Sequence, residues 1–286
     1  MTFATRRKIM NVIRYTILVG VSIVLIYPLL WLIAGVFRPN HEIFTSAGLI
    51  PQDPIPPLET IQSAWQTRTA LTLGGGFLNT LRFLIPRVVG QVVSTVITAY
   101  AITRFNFKGK KIVFSLVIAT LLMPEVIFRI PLFILYQDLG LFGTFMPLWI
   151  EHALATGSFF VFMLIQFMRG IPRELDEAAK IDGCNSFQIL TWILLPVMRP
   201  AVITVALLTF MWGMNDFLGP VIYIRDSSMW VLQQVLRSAS DMSGQGGILF
   251  REIFAMSVIS LIPAITLFFA AQRYFIDGIA STGGKS

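Results

Sequence analysis

The chain has 286 residues, of which 55% are hydrophobic and 13% are charged, whereas an average soluble domain has about 25% charged residues. Its net charge of +7 does not indicate nucleic-acid binding, because the basic residues flank apolar runs and form no basic face with aromatic residues. The single cysteine, Cys184, excludes an internal disulfide and a four-cysteine metal site, and we predict no metal site. The composition favours an integral membrane protein.

Six apolar segments are long enough to cross a bilayer, since about 20 helical residues span its hydrocarbon region. We predict an all-α membrane protein with six transmembrane helices at residues 14–37, 77–103, 111–136, 145–168, 197–223 and 253–275. The first segment is too long for a signal peptide and lacks a cleavage site, which indicates an uncleaved span. Pro124 and Pro131 interrupt the third, and kinked backbone at membrane depth is tolerated only against protein or a water-filled cavity.

The distribution of basic residues predicts the orientation. Lys and Arg accumulate in cytoplasmic loops, and the side of the membrane that holds both termini carries most of them. We therefore expect cytoplasmic tails at residues 1–13 and 281–286, an extracytoplasmic loop at 38–76 and a five-span core at 77–280. The long loop is rich in proline and glycine, and it is either a connector or a docking surface for an external partner.

A short acidic segment, residues 172–183, lies between the fourth and fifth spans. Pro172 suits the first turn of a helix, and three acidic residues follow it at the positive end of the helix dipole. Gly183 suits a left-handed C-terminal cap. We predict a cytoplasmic helix of about 11 residues, near 16 Å long, which is too short and too charged to span the membrane.

The faces of this predicted helix indicate a protein partner. Leu175, Ala178 and Ala179 fall at i, i+3 and i+4 and are expected to share one side, where the alanines allow close approach. Helices that lie on a bilayer surface are usually rich in Lys and Arg. This segment has four acidic residues against two basic ones, and the anionic inner leaflet repels it.

The same segment carries a resemblance to a known family. Glu177-Ala-Ala-Lys-Ile-Asp-Gly183, continuing to Ile193-Leu-Leu-Pro196 and Pro200, resembles the E-A-A-x-x-x-G signature of binding-protein-dependent ABC importer permeases. Three flanking motifs are similar to those of the sugar-importing group, the second permease of maltose-type systems. These motifs are Ile171-Pro-Arg-Glu-Leu-Asp, Arg104-Phe-Asn-Phe-Lys-Gly109 and Gln272-Arg-Tyr-Phe-Ile-Asp-Gly278. The resemblance covers residues 70–280.

The resemblance implies the type I ABC importer permease fold in the bacterial cytoplasmic (inner) membrane. The acidic segment would be the coupling helix, which sits in a cleft of the ATP-hydrolysing subunit. Its ATPase-coupling residues would be Glu177 as the polar contact, Ala178 and Ala179 as the packing face, and Asp182 and Gly183 at the terminal turn.

The implied partners are a second homologous permease, two ATP-binding subunits, an extracytoplasmic solute-binding protein and membrane lipid, with no nucleic acid. ATP and magnesium would be used by the ATPase subunit, so that this chain binds no cofactor and is not an enzyme. Two positions depart from the family pattern. Cys184 stands where alanine is usual, and Met214 occupies the aromatic position of the fifth-span motif.

Polar residues at membrane depth are the candidates for the substrate pathway, because burying a charge there costs at least ~2.5–3.5 kcal/mol. These candidates are Glu125, Arg129, Glu151, Asn215 and Asp216. Glu125 and Arg129 are spaced i, i+4, and they either neutralise each other as an ion pair or line a cavity and bind sugar hydroxyls. Arg87 in the second span is a further candidate partner for Glu125.

The sequence therefore predicts the permease subunit of an ATP-driven importer, which moves a sugar or oligosaccharide by alternating access. One alternative is an ABC importer permease for a non-sugar solute such as a phosphorylated polyol. Another is a proton-coupled secondary transporter with Glu125, Glu151 or Asp216 as proton carriers. That transporter has no use for an acidic cytoplasmic helix, and no nucleophile–base motif favours an enzyme.

Overall fold

The structure is a computed structural model that describes residues 3–46, 48–66, 71–243 and 250–283. All regular elements in those ranges are helical. Contacts divide the chain into two compact units, Met1–Leu73 with Val235–Leu261 and Gly74–Gln234 with Ile262–Ser286. Residues 1–2 and 284–286 of the expected tails, and 47 and 67–70 of the expected loop, lie outside the described ranges.

The first unit begins with a long apolar helix, α1, at Phe3–Val36. Its stretch Arg7–Val36 is apolar enough to cross a membrane, and its most apolar part is not buried by the rest of the chain. Helix α1 begins within the expected cytoplasmic tail, because no proline or glycine interrupts the chain between Phe3 and Arg14. A short helix, α2, follows at Pro57–Trp65.

The chain between α1 and α2 folds around a buried ion pair. Arg38 and Glu42 are both buried, with 3.9 Å between Arg38 Nε and Glu42 Oε1. The Arg38 guanidinium also donates hydrogen bonds to the carbonyl oxygens of Ser46, at 2.9 Å, and Gly48. These contacts give the segment a polar core of its own, because a buried guanidinium needs acceptors for its N–H groups.

The second unit contains the remaining helices up to residue 223. In chain order they are α3 at Leu73–Arg104, α4 at Lys110–Leu121, α5 at Val126–Asp138, α6 at Ile150–Ala153, α7 at Ser158–Arg169, α8 at Glu174–Ile181, α9 at Ser186–Gln188, a π-helical segment at Ile189–Leu194, α10 at Leu195–Met214 and α11 at Leu218–Tyr223. Helix α12 is Leu232–Ser243 and helix α13 is Phe250–Gly283, and each contains residues of both units. The apolar core of the second unit includes Ala99, Leu164, Met168, Ile189 and Val205.

The number of spans agrees with the sequence if a broken helix pair is counted once. Five helical stretches of the described chain are long and apolar enough to cross a membrane, and α4 with α5 forms a sixth, bent by 106°. The bend lies at residues 122–125, where Pro124 lacks an N–H donor and disfavours the helical conformation in the residue before it. The predicted interruption at Pro124 is thus confirmed, whereas the one at Pro131 was wrong, because Pro131 lies inside α5.

The expected bounds of the fifth span, 197–223, were wrong. The apolar helical stretch runs over Ser186–Met214, and α11 is a separate helix after it. The stretch begins at Asn185, whose side chain accepts from Gln188 N at 2.9 Å while Gln188 Oε1 accepts from Asn185 N at 2.8 Å. This capping box starts the helical stretch well before Pro196. The wide π-helical turn before α10 accommodates the proline within the stretch.

Candidate functional site

The acidic segment forms helix α8, which is shorter than predicted. It has eight residues rather than about 11, because Pro172 precedes the helix and Arg173 is its N-cap. Arg173 O accepts hydrogen bonds from the backbone N–H groups of Asp176 at 2.9 Å and Glu177 at 3.1 Å. Helix α8 therefore starts at the acidic residues themselves, which suit the positive end of its dipole.

The C-terminal cap of α8 has the predicted left-handed glycine. Gly183 has φ +84°, Gly183 N donates to Lys180 O at 3.1 Å, and Cys184 N donates to Ala179 O at 2.9 Å. These two bonds define a Schellman motif, which satisfies the last carbonyl groups of a helix and turns the chain sharply. The cap directs the chain from α8 into α9.

One stripe of α8 faces outward. Glu174, Glu177, Ala178 and Ile181 stand at i, i+3, i+4 and i+7, and all are exposed. Ile181 is 87% exposed, although isoleucine is among the residues most often buried. Helix α8 thus presents two carboxylates around a small residue and a large apolar side chain. Asp182, in the terminal turn, is also exposed.

The expectation that Leu175, Ala178 and Ala179 share one accessible face was wrong for Ala179. Ala179 is only 3% exposed and belongs to the apolar core of its own chain. The reason is the inward position of Asp176, which is buried three residues earlier on the same side of α8. A partner can contact Ala178 and the exposed Leu175 but not Ala179.

An ion pair joins the inner face of α8 to the end of α3. The distance from Arg104 Nε to Asp176 Oδ2 is 2.7 Å, and both side chains are largely buried. Arg104 Nη2 donates to Ile171 O at 3.1 Å, and Arg173 Nη2 donates to Thr103 O at 3.0 Å. We call these three contacts the Arg104–Asp176 clamp. They connect two of the motifs quoted above, Arg104–Gly109 and Ile171–Asp176.

Apolar side chains continue the exposed surface beyond α8. Helix α9 and the π-helical segment contact each other, and the π-helical segment also contacts α8. Phe187 and Trp192 of these elements are both strongly exposed. Tyr100 fixes α9 to α3, because its hydroxyl donates to Ser186 O at 2.9 Å. Three large apolar side chains, Ile181, Phe187 and Trp192, are therefore exposed along this surface, and the Tyr100 hydrogen bond ties it to α3.

A second group of polar residues lies at membrane depth. Arg87 Nη1 of α3 donates to Asp216 Oδ2 at 2.9 Å, with both side chains mostly buried. The other oxygen of Asp216, Oδ1, accepts from Gly219 N at 3.0 Å. The Asp216 side chain therefore contacts both the first turn of α11 and α3. The predicted pairing of Arg87 with Glu125 was wrong, since the partner of Arg87 is Asp216.

Glu151 lies among the other charged candidates. Its carboxylate interacts electrostatically with Arg87, Arg129, Glu125 and Asp216. Of these five residues, Arg87 and Asp216 are in direct contact, whereas Arg129, Glu125 and Glu151 are related by electrostatic interaction. We call Arg87, Glu125, Arg129, Glu151 and Asp216 the membrane-depth cluster. No ion pair joins Glu125 to Arg129 in the described chain, and Glu125 is exposed at the break between α4 and α5.

Asn215, the remaining candidate, turns back onto its own helix. Its side-chain amide donates to Met211 O at 2.8 Å at the end of α10.

Sequence reasoning missed a neighbouring contact between α3 and α6. Buried Gln91 donates to Thr95 Oγ1 at 2.7 Å, and its Oε1 lies 2.9 Å from His152 Nδ1. The signal that was available is the presence of a glutamine and a histidine within apolar spans.

No set of three or more His, Cys, Asp and Glu side chains in the described ranges has a geometry that could hold a metal ion.

Comparison with known proteins identifies the family. The family model described as "Binding-protein-dependent transport system inner membrane component" matches residues 91–281, more than half of the chain. The probable ABC transporter permease protein YurM of Bacillus subtilis is 30% identical over 264 residues, which cover 92% of this chain and 85% of that protein. The arabinooligosaccharides transport system permease protein AraQ of Halalkalibacterium halodurans is 30% identical, covering 98% and 99%.

The fold is also that of a solved transporter. A chain from the crystal structure of a bacterial ABC transporter, described as involved in the import of the acidic polysaccharide alginate, superposes with a TM-score of 0.81. The sequence identity is 20%, and the match covers 96% of this chain and 99% of that one. The helical fold with its apolar stretches and the matches over nearly the whole chain point to the same family. The chain belongs to the family of binding-protein-dependent transport system inner membrane components.

Proposed function

We propose that this chain is the permease subunit that carries a sugar or oligosaccharide inward across the bacterial cytoplasmic membrane. The proposal is supported by relatives named for arabinooligosaccharides, galactooligosaccharides and diacetylchitobiose, which are 28–30% identical over more than nine tenths of this chain. Transport is driven by ATP that a partner subunit binds with magnesium and hydrolyses. The observation that carries the ATP-driven mechanism is the outward stripe of α8.

In this mechanism α8 docks in a cleft of the ATP-binding subunit. Glu177 supplies the polar contact, Ala178 allows close approach and Ile181 enters an apolar pocket. Burying an isoleucine side chain contributes about 1.5–3 kcal/mol, which makes Ile181 the largest apolar contributor to the contact. Gly183 and Asp182 form the turn beside it, and Phe187 extends the apolar surface.

The Arg104–Asp176 clamp passes the motion of α8 to α3. ATP binding moves the docked helix, the clamp displaces the end of α3, and α3 carries Arg87 of the membrane-depth cluster. Charged and hydrogen-bonded networks can have two discrete arrangements, and switching between them changes which side of the pathway is open. Hydrolysis then restores the starting arrangement.

The full transporter contains a second, homologous permease, two ATP-binding subunits and an extracytoplasmic solute-binding protein. Both termini of this chain lie in the cytoplasm, on the same side as α8. This orientation is supported by the excess of Lys and Arg on that side. It places the segment between α1 and α3 outside, where the binding protein delivers the substrate.

The membrane-depth cluster favours a neutral substrate over a phosphorylated polyol. It holds three acidic residues, Glu125, Glu151 and Asp216, against the basic Arg87 and Arg129. Carboxylates accept hydrogen bonds from sugar hydroxyl groups, whereas an excess of carboxylates repels a phosphate dianion. Membership in a binding-protein-dependent family also argues against the proton-coupled alternative.

Uptake into proteoliposomes tests the proposal. The assembled transporter is reconstituted with its binding protein, and uptake of labelled oligosaccharides is measured with ATP, without ATP and with an uncoupler. We expect uptake only with ATP and no effect of the uncoupler. Accumulation that persists without ATP and collapses with the uncoupler contradicts the mechanism. Binding of polyol phosphates but no sugar by the binding protein contradicts the substrate class.

A further inference from the structure

Helix α2 has an apolar stripe that is exposed among the described residues of the chain. Leu58, Ile61 and Trp65 stand at i, i+3 and i+7, which places them on one face of the helix. Their exposed fractions are 63%, 39% and 48%. Thr60 and Ala64 form the buried face, at i and i+4. The apolar stripe is therefore distinct from the face by which α2 packs on the rest of its unit.

The remaining side of α2 is polar. Glu59, Gln62 and Gln66 are exposed and lie on the side away from the buried face. Ser63, between the polar and buried sides, is hydrogen-bonded to Glu252. Going around the helix, the buried face, the apolar stripe and the polar face follow one another. This order fits a helix that lies along a boundary between an apolar medium and water.

A backbone hydrogen bond fixes the level of α2 along α1. Ile55 N donates to Phe37 O at 2.8 Å, two residues before α2 starts and one residue after α1 ends. Helix α2 also contacts α1 directly. The uncharged stretch that includes most of α1 ends at Phe37, one residue after the helix, and the charged Arg38 follows it. The start of α2 is therefore held at the level where this uncharged stretch ends.

The chain between the two helices also follows the surface of α1. Residues 43–46 line a groove of about 480 Å³ together with Tyr27, Pro28 and Trp31 of α1. Phe44 is strongly exposed beside this groove. The segment thus returns along α1 toward the membrane, and its buried Arg38–Glu42 pair keeps it folded in that position.

We propose that α2 is an interfacial helix, with Leu58, Ile61 and Trp65 in the lipid headgroup and acyl-chain boundary and its polar face in water. The occupant of the stripe is lipid, because the level of α2 is fixed by the end of a membrane helix and Trp65 combines an apolar ring with an N–H that suits this boundary. In the orientation given above, this is the outer leaflet. The proposal does not depend on which compound is transported.

Site-directed spin labelling in the assembled transporter tests this placement. Cys184→Ala first removes the only cysteine, and single cysteines are introduced by Ile61→Cys on the stripe and by Gln62→Cys on the polar face. Nitroxide labels are then compared in lipid nanodiscs for collision with oxygen, which concentrates in lipid, and with a water-soluble nickel chelate. We expect a severalfold higher oxygen-to-nickel collision ratio at position 61 than at the neighbouring position 62.

Two outcomes overturn the proposal. Strong nickel collision at both positions shows that α2 stands in water, and protection of position 61 from both reagents shows that another subunit covers the stripe. A second measurement avoids the label. Lipids brominated near the headgroup should quench a tryptophan signal that the Trp65→Phe variant lacks. Equal quenching of the wild-type protein and this variant also contradicts a lipid contact at Trp65, whatever the result of the uptake experiment.

Discussion

The outward stripe of α8 and the membrane-depth cluster are built in opposite ways. The stripe belongs to one continuous helix of eight residues that has its own end cap. A single buried ion pair fixes the opposite face of this helix to α3. The cluster draws its members from α3, the broken pair α4 and α5, the segment around α6, and the turn before α11. A docking surface for a motor subunit can be local, whereas a polar pathway exists only after distant helices have packed.

Glu177→Lys tests the local surface and should have the largest effect. A lysine in the middle of the outward stripe puts a cation where the proposed cleft of the ATP-binding subunit receives a carboxylate. A charge of the wrong sign at an interface weakens the binding of the two subunits. We expect normal amounts of the protein in the membrane, loss of the ATP-binding subunit on purification and abolished transport. Co-purification and uptake assays measure this.

Lys108→Glu is the matched control, since it reverses one exposed charge in the turn between α3 and α4. It should retain the ATP-binding subunit and transport. Glu177→Lys with normal subunit stoichiometry and unimpaired uptake would show that α8 is not the docking element.

Asp176→Ala tests the Arg104–Asp176 clamp. It leaves the largely buried Arg104 guanidinium without its counter-ion, and breaking a buried pair costs about 3–5 kcal/mol. We expect a lower thermal midpoint and ATP hydrolysis that no longer drives uptake. The exchanged pair, Arg104→Asp with Asp176→Arg, should recover part of the uptake. If Asp176→Ala transports and unfolds like the wild type, the clamp has no part in coupling.

Asp216→Asn tests the cluster while retaining the hydrogen bond to the first turn of α11, because an asparagine oxygen can still accept from Gly219 N. Arg87 then loses its charged partner, which we expect to cost about 1–3 kcal/mol. Uptake should fall while binding of the ATPase stays normal, which distinguishes the pathway from the docking surface. The double variant with Arg87→Gln should recover stability, since no lone charge remains. Loss of the ATPase from Asp216→Asn is the contrary result.

Gly183→Ala should have the smallest effect. Its φ of +84° costs an L-residue about 1 kcal/mol, and asparagine tolerates that conformation better than alanine. We expect a small decrease in thermal midpoint for Gly183→Ala and a smaller one for Gly183→Asn, with transport reduced in the same order. Identical midpoints for the two variants and the wild type would mean that the left-handed cap adds nothing to the stability of α8.

Local rules explain what could be predicted from the sequence. The apolar runs, the break at Pro124 and the glycine cap at Gly183 each depend on a few neighbouring residues, and the structure has all three. Helix α8 was recognised in the same way, from its proline, its acidic start and its glycine. Its length was overestimated, because Pro172 was placed inside the first turn rather than before it.

Tertiary contacts explain what the sequence did not predict. Ala179 reads as an accessible small residue until Asp176 is known to turn inward to Arg104. Arg87 has several possible acidic partners in the sequence, and only the packing of α3 beside the end of α10 selects Asp216. The start of the fifth membrane helix was missed because the capping box at Asn185, which begins the helical stretch, was not recognised from the sequence.

Arg87 and Arg104 lie on one continuous helix, α3, so that a displacement at one residue can be transmitted along the helix to the other. They are 17 residues apart, about 26 Å at the helical rise, and no proline lies between them, whereas Pro86 stands immediately before Arg87. A tilt of about 10° about one end of this length moves the other end by about 4.5 Å, close to one helical turn. Because helices bend most readily at proline, any displacement of Arg104 that the proposed coupling produces is expected to reach Arg87 and to be taken up by bending at Pro86.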